Sequence, residues 1–368
     1  MSMRSPLLRI VGAALLGAVI VVILSIKLNA FRDYQIAEIA VYVIAIAGLT
    51  VLTGLSGQIS LGNGAFMAIG AYTTALMLAH LGWPFVAVLV VAGVASAATG
   101  AIVGVAAARL RGPYLAGATL MLGVALPFLA YVYPSTLGGD QGLNVVYTQP
   151  AFLGANFPLT RWQAWVSSAV ALVVLVLLAN LGRSRVGRNW RAVRDDEVSA
   201  ALAGVNVAQA RVLAFVVSAA CAGLAGALLA IITALVAPGA FTITLSIALL
   251  TGAVIGGLGT LLGAIWGSLV IVLVPTYATD VATSHGLSTT VASNIPVAAY
   301  GVVLILVMLI FPQGIQGGVL WLLRLLGISA ARPSHEAAPS SPGDDPPVTP
   351  RMGGLPVPPS PPGKEGTQ

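Results

Sequence analysis

The sequence predicts an all-α, polytopic transmembrane bundle of about ten spans, and three observations carry that prediction. Only 8% of the 368 residues are charged and 58% are hydrophobic, against roughly 25% charged in an ordinary soluble domain. Mean hydropathy is +0.97, and apolar runs near or above the roughly 20 residues needed to cross a bilayer recur along the chain. The third observation is the lack of short, regularly alternating apolar segments, which a transmembrane barrel would require.

Taken in order, the predicted spans are 10–27, 36–54, 60–80, 84–107, 114–133, 162–182, 211–236, 243–256, 259–275 and 294–312. The first follows Arg4 and Arg9 and has the look of a secretory signal, with LNA at 28–30 as a passable cleavage site. Because many spans follow, it is read as a retained first helix. Between 243 and 275, Gly256, Gly257 and Gly259 permit a break, since glycine tolerates the backbone angles that end a helix. The run is thus either one broken helix or two short ones.

Charge placement favours two. Arg4 and Arg9 precede the first span, Arg109 and Arg111 follow the fourth, and Arg183 to Arg194 follow the sixth. Arginines collect on the cytoplasmic side of membrane proteins. A cytoplasmic N-terminus puts all of these inside, and ten spans also return Arg324 and the C-terminus to that side. The opposite face receives Asp33, Glu38, Lys27 and Arg32, and the 134–161 loop with Asp140. The net charge of +6 therefore reads as topology rather than nucleic-acid binding.

The membrane-spanning domain is expected to cover 10–323. From about residue 330 the composition changes: half of the 22 prolines lie in 330–368, with almost no large apolar residues. Such a segment buries too little surface to offset the entropy of ordering, so a disordered, cytoplasmic, Pro-rich tail is expected. The single cysteine, Cys221, lies inside an apolar run and excludes an internal disulfide.

Within 187–212, seven of 26 residues are charged: GRNWRAVRDDEVSAALAGVNVAQARV. Each charge at a bilayer centre costs roughly 2.5–3.5 kcal/mol, so seven would cost on the order of 20 kcal/mol, and the segment must lie outside the hydrocarbon. Arg188, Arg191 and Arg194 recur every three residues, matching one side of a helical turn. Asp195, Asp196 and Glu197 suit the positive end of a second helix. In that helix Val198, Ala201, Leu202 and Val205 fall at i, i+3, i+4 and i+7, a small apolar stripe. Gly204 then permits a turn back to the membrane. The residues fit either a docking helix or a solvated connector.

A second anomaly is LTGLSGQISLGNGAFMAIGAYTTALM, 52–77. Glycines alternate there with Thr53, Ser56, Gln58, Ser60 and Asn63, making a polar break in an apolar stretch. Irregular backbone at membrane depth survives only where protein or a water-filled cavity satisfies it, and broken helices commonly line transport sites. Tight helix–helix packing on small residues is the rival explanation.

Both stretches carry a resemblance. GRNWRAVRDDEVSAALAGVN (187–206), continuing into LAFVVSAACAGLAG (213–226), resembles the cytoplasmic EAA or coupling loop of ABC importer permeases, in the form found in LivM-type branched-chain amino acid permeases. The general EAA pattern places its glycine six residues after the glutamate, whereas Gly204 follows Glu197 by seven, so the subfamily form is the better match. The 52–77 stretch is similar to the glycine-rich second-to-third helix junction of LivH and LivM proteins. RLRGPYLAGATLMLG (109–123), VIGGLGTLLGAIWG (254–267) and GVVLILVMLIFPQGI (301–315) look like further landmarks of that subfamily. Together they cover most of 35–320.

The resemblance implies a permease subunit of an ABC importer in a bacterial inner membrane, moving branched-chain amino acids, with urea or short amides as the alternative cargo. It implies a coupling loop over 183–211, with Arg191, Arg194, Asp195, Asp196, Glu197, Ala200, Ala201 and Gly204 facing a cytoplasmic ATPase. It also implies a translocation pathway at Thr53, Ser56, Gly57, Gln58, Ser60, Gly62, Asn63 and Gly64. The implied partners are a LivH-like second permease, two ABC ATPases and a periplasmic or extracellular binding protein.

Several chemistries find no support. No GxxxxGK[ST] occurs, so ATP is expected on partner subunits and no cofactor on this chain. His80, His285 and His335 are scattered, and neither a metal site nor a catalytic triad is expected. Proton- or sodium-coupled carriers keep ionisable groups within their spans; here carboxylates sit in loops or near helix ends, with Glu38 the most interior. A self-sufficient carrier or channel is therefore the less favoured reading. A membrane scaffold working through its tail is another.

Overall fold

The computed structural model describes residues 29–81, 83–110, 112–147, 157–284, 289–312 and 314–325, together with Gly17 and Ser25. The predicted span at 10–27 and the tail at 330–368 lie outside the described residues, those two positions apart.

Thirteen helices are present among the described residues. Helix α1 (Ala30–Leu49) runs on into a π turn (Thr50–Leu55), after which α2 (Asn63–Leu81) starts only beyond an irregular stretch. Then come α3 (Phe85–Ala107), α4 (Pro113–Val132), the short α5 (Pro134–Leu137) and α6 (Leu159–Arg183). Two polar helices, α7 (Arg185–Asp195) and α8 (Glu197–Leu202), precede α9 (Val207–Thr233). The chain ends in α10 (Ile243–Gly256), α11 (Gly263–Ser284), α12 (Thr289–Ile310) and α13 (Gly314–Leu325).

Among the described residues the all-helical expectation holds apart from one antiparallel ladder, β1 (Leu143–Asn144) with β2 (Leu235–Val236). It ties the predicted 134–161 loop to the end of α9, where Val145 N–H also donates to Ala234 O at 2.9 Å.

Fewer than the ten expected spans lie among the described residues. Seven described helices are long and apolar enough to cross a membrane, or eight if α12 and α13, bent by 45°, count as one span. Two elements explain most of the shortfall from ten: the first span is outside the described residues, and α2 contributes only a shorter apolar helix. The predicted 259–275 span extends to Ser284, passing through Pro275, a residue that helix bundles of this kind tolerate when neighbours satisfy the freed backbone. The 243–275 region is two helices, separated at 257–262.

Helix α9 is the axis of the bundle, packed on α3, α2 and α1. Its length is almost wholly buried, and its buried face is mostly Ala and Gly. Small residues let helix backbones approach closely, which is the main source of association where lipid offers no hydrophobic driving force. A Cβ on Gly226 would overlap the Met67 carbonyl of α2, and one on Gly70 the Gly223 carbonyl. Two hydroxyls inside the bundle are satisfied by helix carbonyls: Ser96 donates to Phe66 O at 3.0 Å, and Thr74 to Gly70 O at 2.9 Å.

The two ends of the bundle differ in charge. At one end the start of α1 brings buried Asp33 to Arg161 of α6, 3.6 Å away. At the other, the ends of α1, α3 and α6 meet the start of α9, and this end carries Arg109, Arg183, Arg185, Arg188, Arg191, Arg194 and Arg211.

Candidate functional site

The charged segment folds as two short helices strapped under the bundle. Ser184 caps α7 by accepting from Val186 N–H at 3.2 Å. Gly187, Trp190 and Val193, at spacing three, form its buried face. Trp190 is fully buried and donates through Nε1 to Ala210 O at 2.8 Å, anchoring α7 to the first turn of α9.

The three arginines all reach backbone carbonyls. Arg188 donates to Arg183 O at 3.3 Å and Arg191 to Gly182 O at 3.0 Å, both in the last turn of α6. Cations there satisfy orphan carbonyls and meet the negative end of the helix. Arg194 reaches further, donating through Nη1 to Gly54 O at 2.7 Å. Its Nε and Nη2 hold Asp195 at 3.0 and 2.9 Å. Arg191 and Arg194 thus also attach the loop to the bundle.

Helix α8 starts as the acidic run predicts. Asp196 caps it, accepting from Val198 and Ser199 N–H and from the Ser199 hydroxyl. The hydroxyl bond, followed by the two amide bonds, holds the Asp196 carboxyl below its ordinary value. Ala200 points inward and is buried. The predicted apolar stripe is on the surface: Val198 is 69% and Leu202 85% exposed, with Ala201 beside them. Gly204 closes the turn at φ +84°, a left-handed angle that only glycine adopts freely. Asn206 then caps α9 by accepting from Gln209 N–H at 3.0 Å. Glu197 forms an ion pair with Arg211 of α9. Arg211 is buried and also donates to Ala108 O at 3.4 Å.

The glycine-rich junction lies against this apparatus. In the π turn Ser56 N–H bonds to Val51 O and Gln58 N–H to Leu52 O, each at 3.1 Å. Gln58 N–H would be the α-helical donor to Gly54 O; diverted, it leaves that carbonyl to Arg194. Gln58 Nε2 donates to Arg211 O at 3.4 Å. Further along, Leu61 N–H bonds to Thr119 Oγ1 of α4 at 3.0 Å, Gly62 N–H to Ser60 Oγ at 3.3 Å, and Gly64 N–H to Ser246 Oγ of α10 at 2.9 Å.

Not every polar group there is satisfied. Asn63 is fully buried, and neither of its amide atoms finds a hydrogen-bonding partner among the described residues; nor do Thr53 Oγ1 and Gln58 Oε1. Buried polar groups normally have partners, so such exceptions mark strain, unseen water or a ligand's place.

The structure therefore joins the two predicted sets at one end only. Gly54, Gly57 and Gln58 meet the charged segment, and Leu61, Gly62 and Gly64 meet α4 and α10. Asp195, Ala201 and Gly204 stay at the exposed tip. Sequence reasoning missed Gly54, Trp190 and Arg211. Trp190 had a signal, since its spacing with Gly187 and Val193 marks a buried face; Gly54 acts through its backbone carbonyl, and the Arg211 guanidinium pairs with Glu197, 14 residues earlier.

A family model described as branched-chain amino acid transport system / permease component matches residues 31–312. The high-affinity branched-chain amino acid transport system permease protein LivM of Salmonella typhimurium is 35% identical over 256 residues, 63% of this chain and 60% of that protein. LivH of Escherichia coli is 29% identical over 290 residues, covering 75% and 91%. BraD of Pseudomonas aeruginosa is 29% identical over 296 residues, with the same coverage. The match thus spans about three fifths of the length of the LivM relatives. No solved structure matches the chain.

Proposed function

The chain belongs to the family of branched-chain amino acid transport system permease components, and from that premise we propose that it is the membrane-spanning subunit of an ATP-driven importer of branched-chain amino acids. The names of its relatives supply the cargo class. The arginine-rich end is cytoplasmic in this reading, because arginines collect on that side. Both termini lie there too. The chain binds no nucleotide and catalyses no covalent step; two cytoplasmic ATPases supply the work. A LivH-like permease completes the membrane part, and a binding protein delivers the solute outside.

One observation carries the docking part of this reading. Helix α8 is held from above by Glu197–Arg211 and by buried Ala200, yet its lower face leaves Val198 and Leu202 exposed. An apolar surface on an otherwise charged loop outside the hydrocarbon fits a cleft on a partner. The polar break at 53–64 supplies the pathway: Asn63, Gln58 and Thr53 hold unpaired buried groups for a passing polar solute.

The test is Leu202→Arg, which alters the exposed face and leaves the bundle alone. ATPase subunits are expected to co-purify at least about tenfold less well, by the penalty of an unpaired charge at an interface, while the permease stays in the membrane. Undiminished co-purification with normal coupled uptake would remove the docking site.

A further inference from the structure

Resting on the coupling-loop reading above, we propose that Arg194 is the positioning residue that carries motion of α7 and α8 into the membrane, by holding the Gly54 carbonyl and so selecting the hydrogen-bonded state of the π turn.

The geometry is specific to this one arginine. Arg188 and Arg191 end on α6, the helix that leads directly into their own loop. Arg194 ends 140 residues away in sequence, on a carbonyl whose helical donor has been diverted. The guanidinium is aimed by Asp195, which takes Nε and Nη2 and leaves Nη1 for Gly54. The approach depends on Gly57: a Cβ there would lie 2.8 Å from Arg194 Cγ, and its φ is +74°.

A buried carbonyl without a donor is costly. If the loop moves and Arg194 leaves, the nearest replacement for Gly54 O is the amide of Gln58, which must then give up Leu52 O. The turn therefore has two bonded states, π with Arg194 and α without it, and the second rewinds the backbone that leads to Ser60 and Asn63. π turns are found frequently at functional sites. Coupling between distant sites requires such a bistable element, biased from both ends. Gly54 also abuts the opposite break, because a Cβ on it would overlap the Leu258 carbonyl. Rewinding at Gly54 is thereby felt between α10 and α11.

The experiment uses the whole complex with its ATPases in lipid. Amide exchange is followed with and without a non-hydrolysable ATP analogue, alongside uptake per ATP hydrolysed. In the wild type, nucleotide should alter exchange both at 185–204 and at 50–63. In Arg194→Ala the change at 185–204 should persist, the change at 50–63 should fall at least about fivefold, and uptake per ATP about tenfold, within the range that mutations along a coupling route produce. Arg194→Lys, which keeps one donor, should recover part of both. A full-sized change at 50–63 in Arg194→Ala would overturn the proposal. Should that variant not assemble, Gly57→Ala displaces the intact arginine and should give the same loss; wild-type transmission there would equally overturn it. No nucleotide response at 185–204 in the wild type would instead remove the docking reading, and this one with it.

Discussion

Around Gly256–Gly263 the chain turns sharply between α10 and α11, and around Thr50–Gly64 it turns between α1 and α2. Both stretches are rich in glycine, and in the sequence they look alike. In the first, glycine meets glycine: a Cβ on Gly256 would overlap the Gly263 carbonyl, and one on Gly267 the Gly252 carbonyl. The second is filled with polar side chains. There Ser60, Thr119 and Ser246 accept from backbone amides, while Asn63 and part of Gln58 are left unpaired. Glycine density alone separates neither role. The contrast is one of degree. The first break also holds an unpaired hydroxyl at Thr260, and the second also meets backbone, at Gly54 against Leu258 O. The second, however, gathers unpaired atoms of Thr53, Gln58 and Asn63, as a working break would.

The sharpest way to break this distinction is Gly256→Ala. The obstacle is backbone on both sides, so α10 and α11 must part. Overpacking of this kind costs about 3 kcal/mol, seen as a lowered unfolding temperature of the purified permease and a loss of monodisperse yield. A variant of unchanged stability that no longer transports would place this break in the working class instead.

Much of this was legible in advance, and the failures have a common cause. The helical class and the residues of both interruptions followed from hydropathy and from glycine with Ser, Asn and Gln. The Asp196 cap and the Gly204 turn were also legible, because each is a local choice made by one residue and its neighbours. What stayed hidden was where the arginines go. Their three-residue spacing marks one face of α7, but Gly182, Arg183 and Gly54 receive them through carbonyl oxygens, which every residue possesses and no sequence advertises. The exact start of α2 stayed hidden for a similar reason. The span expected from residue 60 starts at Asn63, because the amides of Gln58, Leu61 and Gly62 are taken by the Leu52, Thr119 and Ser60 oxygens.

Asn63→Leu tests the working break. The replacement keeps the number and branching of side-chain heavy atoms and removes two buried amide atoms that have no partner. Relieving an unsatisfied buried group is worth about 1–3 kcal/mol, so the unfolding temperature should hold or rise. Uptake should nevertheless fall about tenfold, the effect of removing one interaction worth roughly 1.4 kcal/mol, with ATPase co-purification unchanged. Gln58→Leu should behave alike, less strongly, because one of its amide atoms is already bonded to Arg211 O. Lower stability with proportionate loss of uptake would show that these side chains pack after all.

The smallest effect marks the limit of the packing class. Gly259 sits in the same turn as Gly256, yet a Cβ there meets nothing within 4 Å, and its backbone is not in the left-handed region. If close approach is what this break needs from glycine, Gly259→Ala should change stability by no more than about 0.5 kcal/mol, with a slight gain from the stiffer unfolded chain. Uptake should match the wild type. A large loss from Gly259→Ala would mean that the turn must flex rather than pack, since no side-chain overlap is available to explain it. That would bring the α10–α11 break nearer in kind to the π turn it touches through Leu258 and Gly54.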